Sequence, residues 1–63
     1  MVRYAVIVVY RGVPQLQGLY KTRSAADKRR DNISGGEIHI MKTFSVDEST
    51  IIQEFRDEEV RSL

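Results

Sequence analysis

The sequence predicts a small α+β domain with elements in the order strand, strand, helix, strand, helix. Three observations predict it: a dense run of β-branched and aromatic residues, a helical segment closed by two glycines, and a second helical segment opened by a capping signal. We expect a three-stranded, mainly antiparallel sheet in the order 2-1-3, because a right-handed crossover places the third strand beside the first. Both helices are expected to pack on one face of this sheet.

The first strand is predicted from Val2 to Tyr10, where the sequence VRYAVIVVY has the strongest strand character in the chain. Both of its faces are apolar, which indicates the central position in the sheet. A turn is expected over residues 11–14, since glycine and proline favour a reversal of the chain there. The second strand, over residues 15–21, carries glutamines that suit an edge position.

The first helix is expected to follow a cap at Thr22 or Ser24 and to run to about Ile33. Asp27 is expected in its first turn, where a carboxylate favours the helix dipole. Gly35-Gly36 is expected to end the helix, because glycine accepts the left-handed conformation of many helix exits.

The third strand is predicted over residues 37–44. Ser45 followed by Glu48 has the spacing of a capping box, which predicts the start of a second helix that runs to about Arg61. The apolar positions of this helix are Ile51, Ile52, Phe55, Val60 and Leu63. Residues 56–59 are all charged, so the turns from about residue 57 are expected to fray in solution. Residues 1–63 are interpreted as a single domain.

The composition excludes several classes of protein. The chain has 63 residues and no cysteine, which excludes a disulfide framework, a thiolate metal site and a cysteine nucleophile. The apolar run from Val6 to Val9 is too short to span a bilayer, so we expect a cytoplasmic protein without a membrane partner. A core of this size supplies only about 3–5 kcal/mol, and a homodimer is among the expected states.

No catalytic machinery is found in the sequence. His39 is the sole histidine and has no carboxylate at helical spacing, so we interpret it as a half-exposed strand residue. Asp57, Glu58 and Glu59 are consecutive, so their carboxylates point in different directions around a helix and do not converge on one site. Gly35-Gly36 follows a helix and lacks the lysine of a phosphate-binding loop. We expect a non-enzymatic binding module with no cofactor and no metal.

Charge is distributed unevenly along the chain. Residues 1–30 carry seven bases and one acid, whereas residues 31–63 carry three bases and eight acids. This polarity predicts either opposite faces or an acidic element lying across a basic one, and a surface that mixes both signs is the plain alternative. Bases with tyrosines nearby are typical of a nucleic-acid surface, and tyrosines that cap the core beside bases that solubilise a surface helix are the alternative interpretation. The candidate binding residues are Tyr4, Lys21, Arg23, Lys28, Arg29, Arg30 and Lys42.

Four short motifs follow one another over about residues 4–55. They are Tyr4-Ala5-Val6, Gly18-Leu19-Tyr20-Lys21-Thr22 leading into a helix, Gly36 before a strand, and Lys42-Thr43-Phe44 leading into the last helix. Together they resemble the small N-terminal hybrid-binding domain of eukaryotic-type ribonucleases H. The resemblance implies the same order of elements and binding of double-stranded RNA or RNA–DNA hybrids, with Tyr4 and Lys42 at binding positions.

Two features depart from that family. Its tryptophan after the threonine is replaced by Arg23, and the hairpin between Val6 and Gly18 is several residues longer. Nothing in the chain resembles the ribonuclease catalytic domain, so cleavage is not implied.

Three functions stay open at this point. The first is low-specificity binding of duplex RNA or an RNA–DNA hybrid through backbone phosphates. The second is a short phage-type or regulatory protein that docks on a host protein through an exposed edge strand or the acidic second helix, and modulates it. The third is a homodimeric structural protein that associates through the second helix or an edge strand.

Overall fold

The computed structural model describes residues 1–61, which form three strands and two helices. They are β1 (Arg3–Tyr10), β2 (Val13–Tyr20), α1 (Arg23–Asp31), β3 (Glu37–Thr43) and α2 (Glu48–Arg61). The strands form one antiparallel sheet in the order β2-β1-β3, so the predicted class and strand order are confirmed. Leu63, predicted as an apolar position of the second helix, lies outside the described residues.

The central strand β1 is buried on both of its faces. Ala5, Val6, Ile7 and Val8 each have 0% relative exposure. Because successive side chains of a strand point to opposite faces, Ala5 and Ile7 lie on one face while Val6 and Val8 lie on the other. The strand therefore needs an apolar cover on each side of the sheet.

Helix α2 covers the face that carries Ala5 and Ile7. Its Ile51 and Phe55 are buried and form one core cluster with those two strand residues. Four positions apart, Ile51 and Phe55 lie on the same side of the helix, which turns its charged residues toward solvent. Half-buried apolar residues surround the cluster; they are Val9, Leu16, Leu19, Met41 and Ile52.

Helix α1 covers the opposite face. It contacts all three strands, and its buried residue is Ala26, whose small side chain allows a close approach to the sheet. Val6 and Val8 are fully buried although they face away from α2, so α1 and the segment after it supply their cover. The helices thus sandwich the sheet instead of packing on one face as expected, because both apolar faces of β1 have to leave water.

The hairpin turn is tighter than predicted. Arg11 and Gly12 alone form it, with φ values of 51° and 80°, and positive φ at both central residues defines a type I′ turn. β2 accordingly begins at Val13 and includes Pro14, which the prediction assigned to the turn. An edge strand tolerates Pro14 because an outward-facing amide has no partner in the sheet.

The two helices begin with different caps. Of the two expected caps, Thr22 is the one that caps α1, since its Oγ1 accepts a hydrogen bond from the Ala25 amide at 3.2 Å. Asp47 caps α2, since its Oδ1 accepts from the Thr50 amide at 3.2 Å. The predicted capping box at Ser45 is therefore wrong. The hydroxyl of Ser45 instead accepts a hydrogen bond from the Asp47 amide and supports the cap.

A buried hydroxyl joins the end of β3 to α2. Thr43 is 1% exposed, and its Oγ1 donates a hydrogen bond to Oε2 of Glu54 at 2.6 Å. The same oxygen accepts from the Ser45 amide at 3.2 Å. β3 thus ends at Thr43, one residue earlier than predicted, and Phe44 belongs to the loop.

The return from α1 to β3 depends on Gly36. α1 ends at Asp31, earlier than the predicted Ile33, and Gly35 and Gly36 follow with φ values of 82° and 74°. A Cβ at position 36 would lie only 2.6 Å from Cγ1 of Val8. Glycine is therefore required both for the backbone conformation and for the close approach to the sheet.

Replacing Gly36 with alanine is expected to destabilise the fold more than Gly12→Ala. Positive φ costs either variant about 1–2 kcal/mol, but only the Gly36 variant adds a clash, because nothing lies within 4 Å of a Cβ at position 12. Urea denaturation of both variants measures the difference in the free energy of unfolding. Equal losses would contradict the close approach of Gly36 to β1.

Candidate nucleic-acid interface

Tyr20, Tyr4 and Lys42 form one row across the sheet. Tyr4 of β1 pairs with Tyr20 of β2 on one side and with Lys42 of β3 on the other. Directly paired residues of antiparallel strands point to the same face, so all three lie on the face of Val6 and Val8. We call the α1 face this side of the sheet together with α1. The row crosses it at the end where α1 begins.

A β-bulge produces this alignment. β1 and β2 pair in one register from the turn up to Ile7 and Leu16, and in a register shifted by one residue from Val6 and Gly18 onward. Gln17 is the extra residue on β2. Without the bulge, Tyr20 would point to the other face, because a shift of one residue reverses every side chain of a strand.

The ring of Tyr20 lies back over Gly18. A Cβ at Gly18 would approach the ring atoms of Tyr20 to 2.9 Å. The missing side chain of the glycine therefore makes space for the ring, which is half-buried against the strand. This contact orients Tyr20 next to Tyr4 in the row.

Lys42 ends close to an exposed aromatic ring that the sequence analysis did not name as a binding residue. Its Nζ lies 5.8 Å from the centroid of the Phe44 ring, within the range of a cation–π contact. Phe44 is 72% exposed, and Val46 in the same loop is 71% exposed. An exposed ring beside a cation is suited to stacking on a nucleic-acid base. The sequence feature that could have indicated a binding role for Phe44 is its position two residues after Lys42, just past the end of the strand.

The three consecutive bases of α1 do not form one patch. Lys28, Arg29 and Arg30 are all exposed. Successive residues of an α-helix are about 100° apart, so these three extend over about 200° of its circumference. Ala26 is buried and marks the side of α1 that faces the sheet. Around the helix axis, Arg29 and Arg30 lie on either side of Ala26, and Lys28 points away from the sheet. They present charge on three sides of α1.

Asp27 forms ion pairs with two of the candidate bases. Its Oδ1 lies 3.4 Å from Nε of Arg23 and 3.4 Å from Nη1 of Arg30. Arg30 also lies 3.6 Å from Asp31. Because α1 begins at Arg23, Asp27 follows the first turn and does not lie within it as expected. Arg23, Arg30 and Asp31 are exposed and Asp27 is half-exposed, so these pairs contribute little to stability.

The other candidate bases are available to a ligand. Lys21, Lys28 and Arg29 are exposed, and within residues 1–61 none of them forms an ion pair. Lys21 lies between the end of β2 and the start of α1, next to Tyr20 in the chain. The α1 face therefore combines free cations with the tyrosine row.

Helix α2 places most of the negative charge on the opposite side of the sheet. It carries five acids and two bases, whereas α1 carries four bases and two acids. Since the helices sandwich the sheet, the charge polarity of the sequence becomes a polarity between two faces. α2 does not lie across α1, so of the three arrangements that the sequence left open the structure shows charge separated between opposite faces.

A groove separates α2 from β3 on the acidic side. It measures about 930 Å³ and is lined in part by His39, Met41, Phe55 and Val60. The rings of His39 and Phe55 meet edge to face with centroids 5.1 Å apart. Nε2 of His39 is buried and makes no hydrogen bond, although Oε1 of Glu37 is 3.3 Å away. Among the described residues, no three His, Asp or Glu side chains gather where they could hold a metal ion.

No family model matches the chain, and no curated protein or solved structure is significantly similar to it. The resemblance to the hybrid-binding domain of ribonucleases H therefore stays a prediction. Within residues 1–61, neither helix is long and apolar enough to cross a membrane.

Proposed function

We propose that the α1 face binds double-stranded RNA or RNA–DNA hybrids with little sequence specificity. The observation that supports this proposal is the sorting of charge by the sheet, which leaves the free cations and the tyrosine row on one face and most of the acids on the other. Cations that neutralise backbone phosphates supply affinity that is independent of sequence.

An A-form duplex offers groups that fit the tyrosine row. Its wide, shallow minor groove displays 2′-hydroxyls between two lines of phosphates. Tyr4 and Tyr20 present phenolic hydroxyls that donate and accept hydrogen bonds, and Lys42 follows them in the same row. The row thus faces the sugars, while Lys21 and Arg29 reach the phosphates at its side. Lys28, on the side of α1 that points away from the sheet, adds positive charge to the same face.

Phe44 lies next to Lys42 just past the end of β3, at the border between this surface and the acids of α2. Its exposed ring next to Lys42 can stack on a base at a duplex end or in an unpaired segment. Stacking tolerates every base because each has a π-face, so this contact adds affinity without sequence preference.

The proposal is tested by fluorescence-anisotropy binding of labelled double-stranded RNA, RNA–DNA hybrid, duplex DNA and single strands, at low and at physiological salt. We expect tighter binding to the two A-form duplexes and a steep loss of affinity with salt, because released counterions drive the association. The variant Lys28→Ala/Arg29→Ala is expected to bind about tenfold or more weakly at low salt, with a shallower salt dependence.

The control is Arg56→Ala/Arg61→Ala, which removes the same number of exposed positive charges from α2. Its affinity should stay close to that of the wild type. Equal losses in both double variants would mean that only net charge matters. Absence of binding to every nucleic acid at low salt would overturn the proposal.

Replacing Asp27 with asparagine is expected to strengthen binding several-fold. The change removes the carboxylate partner of Arg23, leaves Arg30 paired with Asp31 alone, and raises the net charge of the α1 face by one. Thermal unfolding should change little, since exposed ion pairs contribute about 0–1 kcal/mol. Anisotropy titrations with the same RNA duplex measure the effect, and unchanged or weaker binding would place the RNA away from α1.

A further inference from the structure

The two edges of the sheet are not equally protected. On β2, Pro14 lacks an amide hydrogen and the bulge at Gln17 interrupts the ladder, and both features hinder pairing with another strand. β3 has neither feature. Its seven residues, Glu37–Thr43, pair with β1 without a register shift and include no proline. The outer side of β3 is therefore a regular row of backbone donors and acceptors.

β3 is also incompletely covered on the acidic side. α2 packs mainly toward β2, and the groove described above leaves His39 and Met41 half-exposed beside the edge. On the other face, Ile38 and Ile40 are half-exposed as well. A strand that pairs with β3 would bury apolar side chains on both faces in addition to satisfying the backbone.

We propose that β3 pairs antiparallel with β3 of a second copy of this chain, around a two-fold axis perpendicular to the sheet at Ile40. In the register that uses all seven residues, Ile40 lies opposite Ile40 of the partner subunit, and His39 lies opposite the partner subunit's Met41. Ile38 lies opposite the partner's Lys42, and Glu37 opposite the partner's Thr43.

The charges of β3 fit this self-pairing. Glu37 and Lys42 are its two fully charged residues, and each lies opposite an uncharged side chain of the partner. The hydrocarbon part of Lys42 covers Ile38 of the partner subunit while its amine stays in water. Apolar pairs directly opposite each other across the new strand contact add to its stability.

Other registers are worse. A shift of the pairing by two residues leaves part of the ladder unpaired. A shift by one residue would place the α1 face of one subunit beside the acidic face of the other, because side chains alternate along each strand. The sequence of β3 is thus matched to its own copy in one register.

The resulting sheet has six strands in the order 2-1-3-3-1-2. A two-fold axis perpendicular to a sheet keeps each face on its own side, so both α1 helices lie on one face and both α2 helices on the other. The two β1 strands are three strand spacings apart, about 14 Å, and this distance leaves room for two helices about 10 Å wide side by side on each face.

One duplex can then contact the α1 faces of both subunits. This consequence rests on the proposed function, whereas the strand pairing itself does not.

Sedimentation equilibrium of the full chain without nucleic acid, over a wide range of concentration, tests the pairing. The wild type should show a monomer–dimer equilibrium. Ile40→Lys and Ile40→Glu should each be monomeric, because the substitution places like charges opposite each other at the two-fold axis. An equimolar mixture of the two variants should recover the dimer, since lysine then faces glutamate. Circular dichroism checks that each variant is folded.

Gln15→Lys is the control on the β2 edge, where an added positive charge should leave the dimer intact. A wild type that stays monomeric at the highest concentration would overturn the inference. The inference would also be overturned if both Ile40 variants still dimerised, or if the folded mixture of Ile40→Lys and Ile40→Glu stayed monomeric. RNA binding by a monomeric wild type would leave the proposed function standing, and a dimer without RNA affinity would contradict only that function.

Discussion

The structure depends on the burial of β1 from both sides. Four consecutive residues, Ala5 to Val8, are withdrawn completely from water, and their side chains alternate between the two faces of the sheet. A three-stranded sheet with such a centre is stable only when each face has its own cover. The apolar stripe of α2 supplies one cover, and α1, which approaches closely through Ala26, supplies the other. The placement of all five elements follows from this requirement.

The same sandwich gives the domain its electrostatic character. The basic half of the chain ends with α1 and the acidic half ends with α2, so a sheet between the two helices separates positive from negative charge. In a domain with both helices on one face, the acids of α2 would neutralise the bases of α1. The separation is what makes a phosphate-binding face physically reasonable in a chain with a net charge of only +1.

Much of the fold could be predicted from local patterns, whereas the site depended on features that patterns do not fix. The dense strand, the cap at Thr22 and the strand order follow from propensity and connection rules. Pro14 looked like a turn residue because proline suits both a turn and an edge strand. The alignment of Tyr4 with Tyr20 could not be predicted from the sequence, because it depends on the bulge at Gln17. The placement of the two helices on opposite faces of the sheet was not predicted for a related reason. Helical periodicity shows which side of a helix is apolar but not which face of the sheet that side covers.

The proposed function requires that nucleic acid meets the α1 face and not α2. A short RNA duplex is titrated into isotopically labelled protein while the backbone amide shifts are followed by NMR. We expect shift perturbations that cluster at Tyr4, Tyr20, Lys42 and the exposed bases of α1, while amides on the solvent side of α2 stay unchanged. Perturbations centred on α2, or none at an RNA excess, would contradict it.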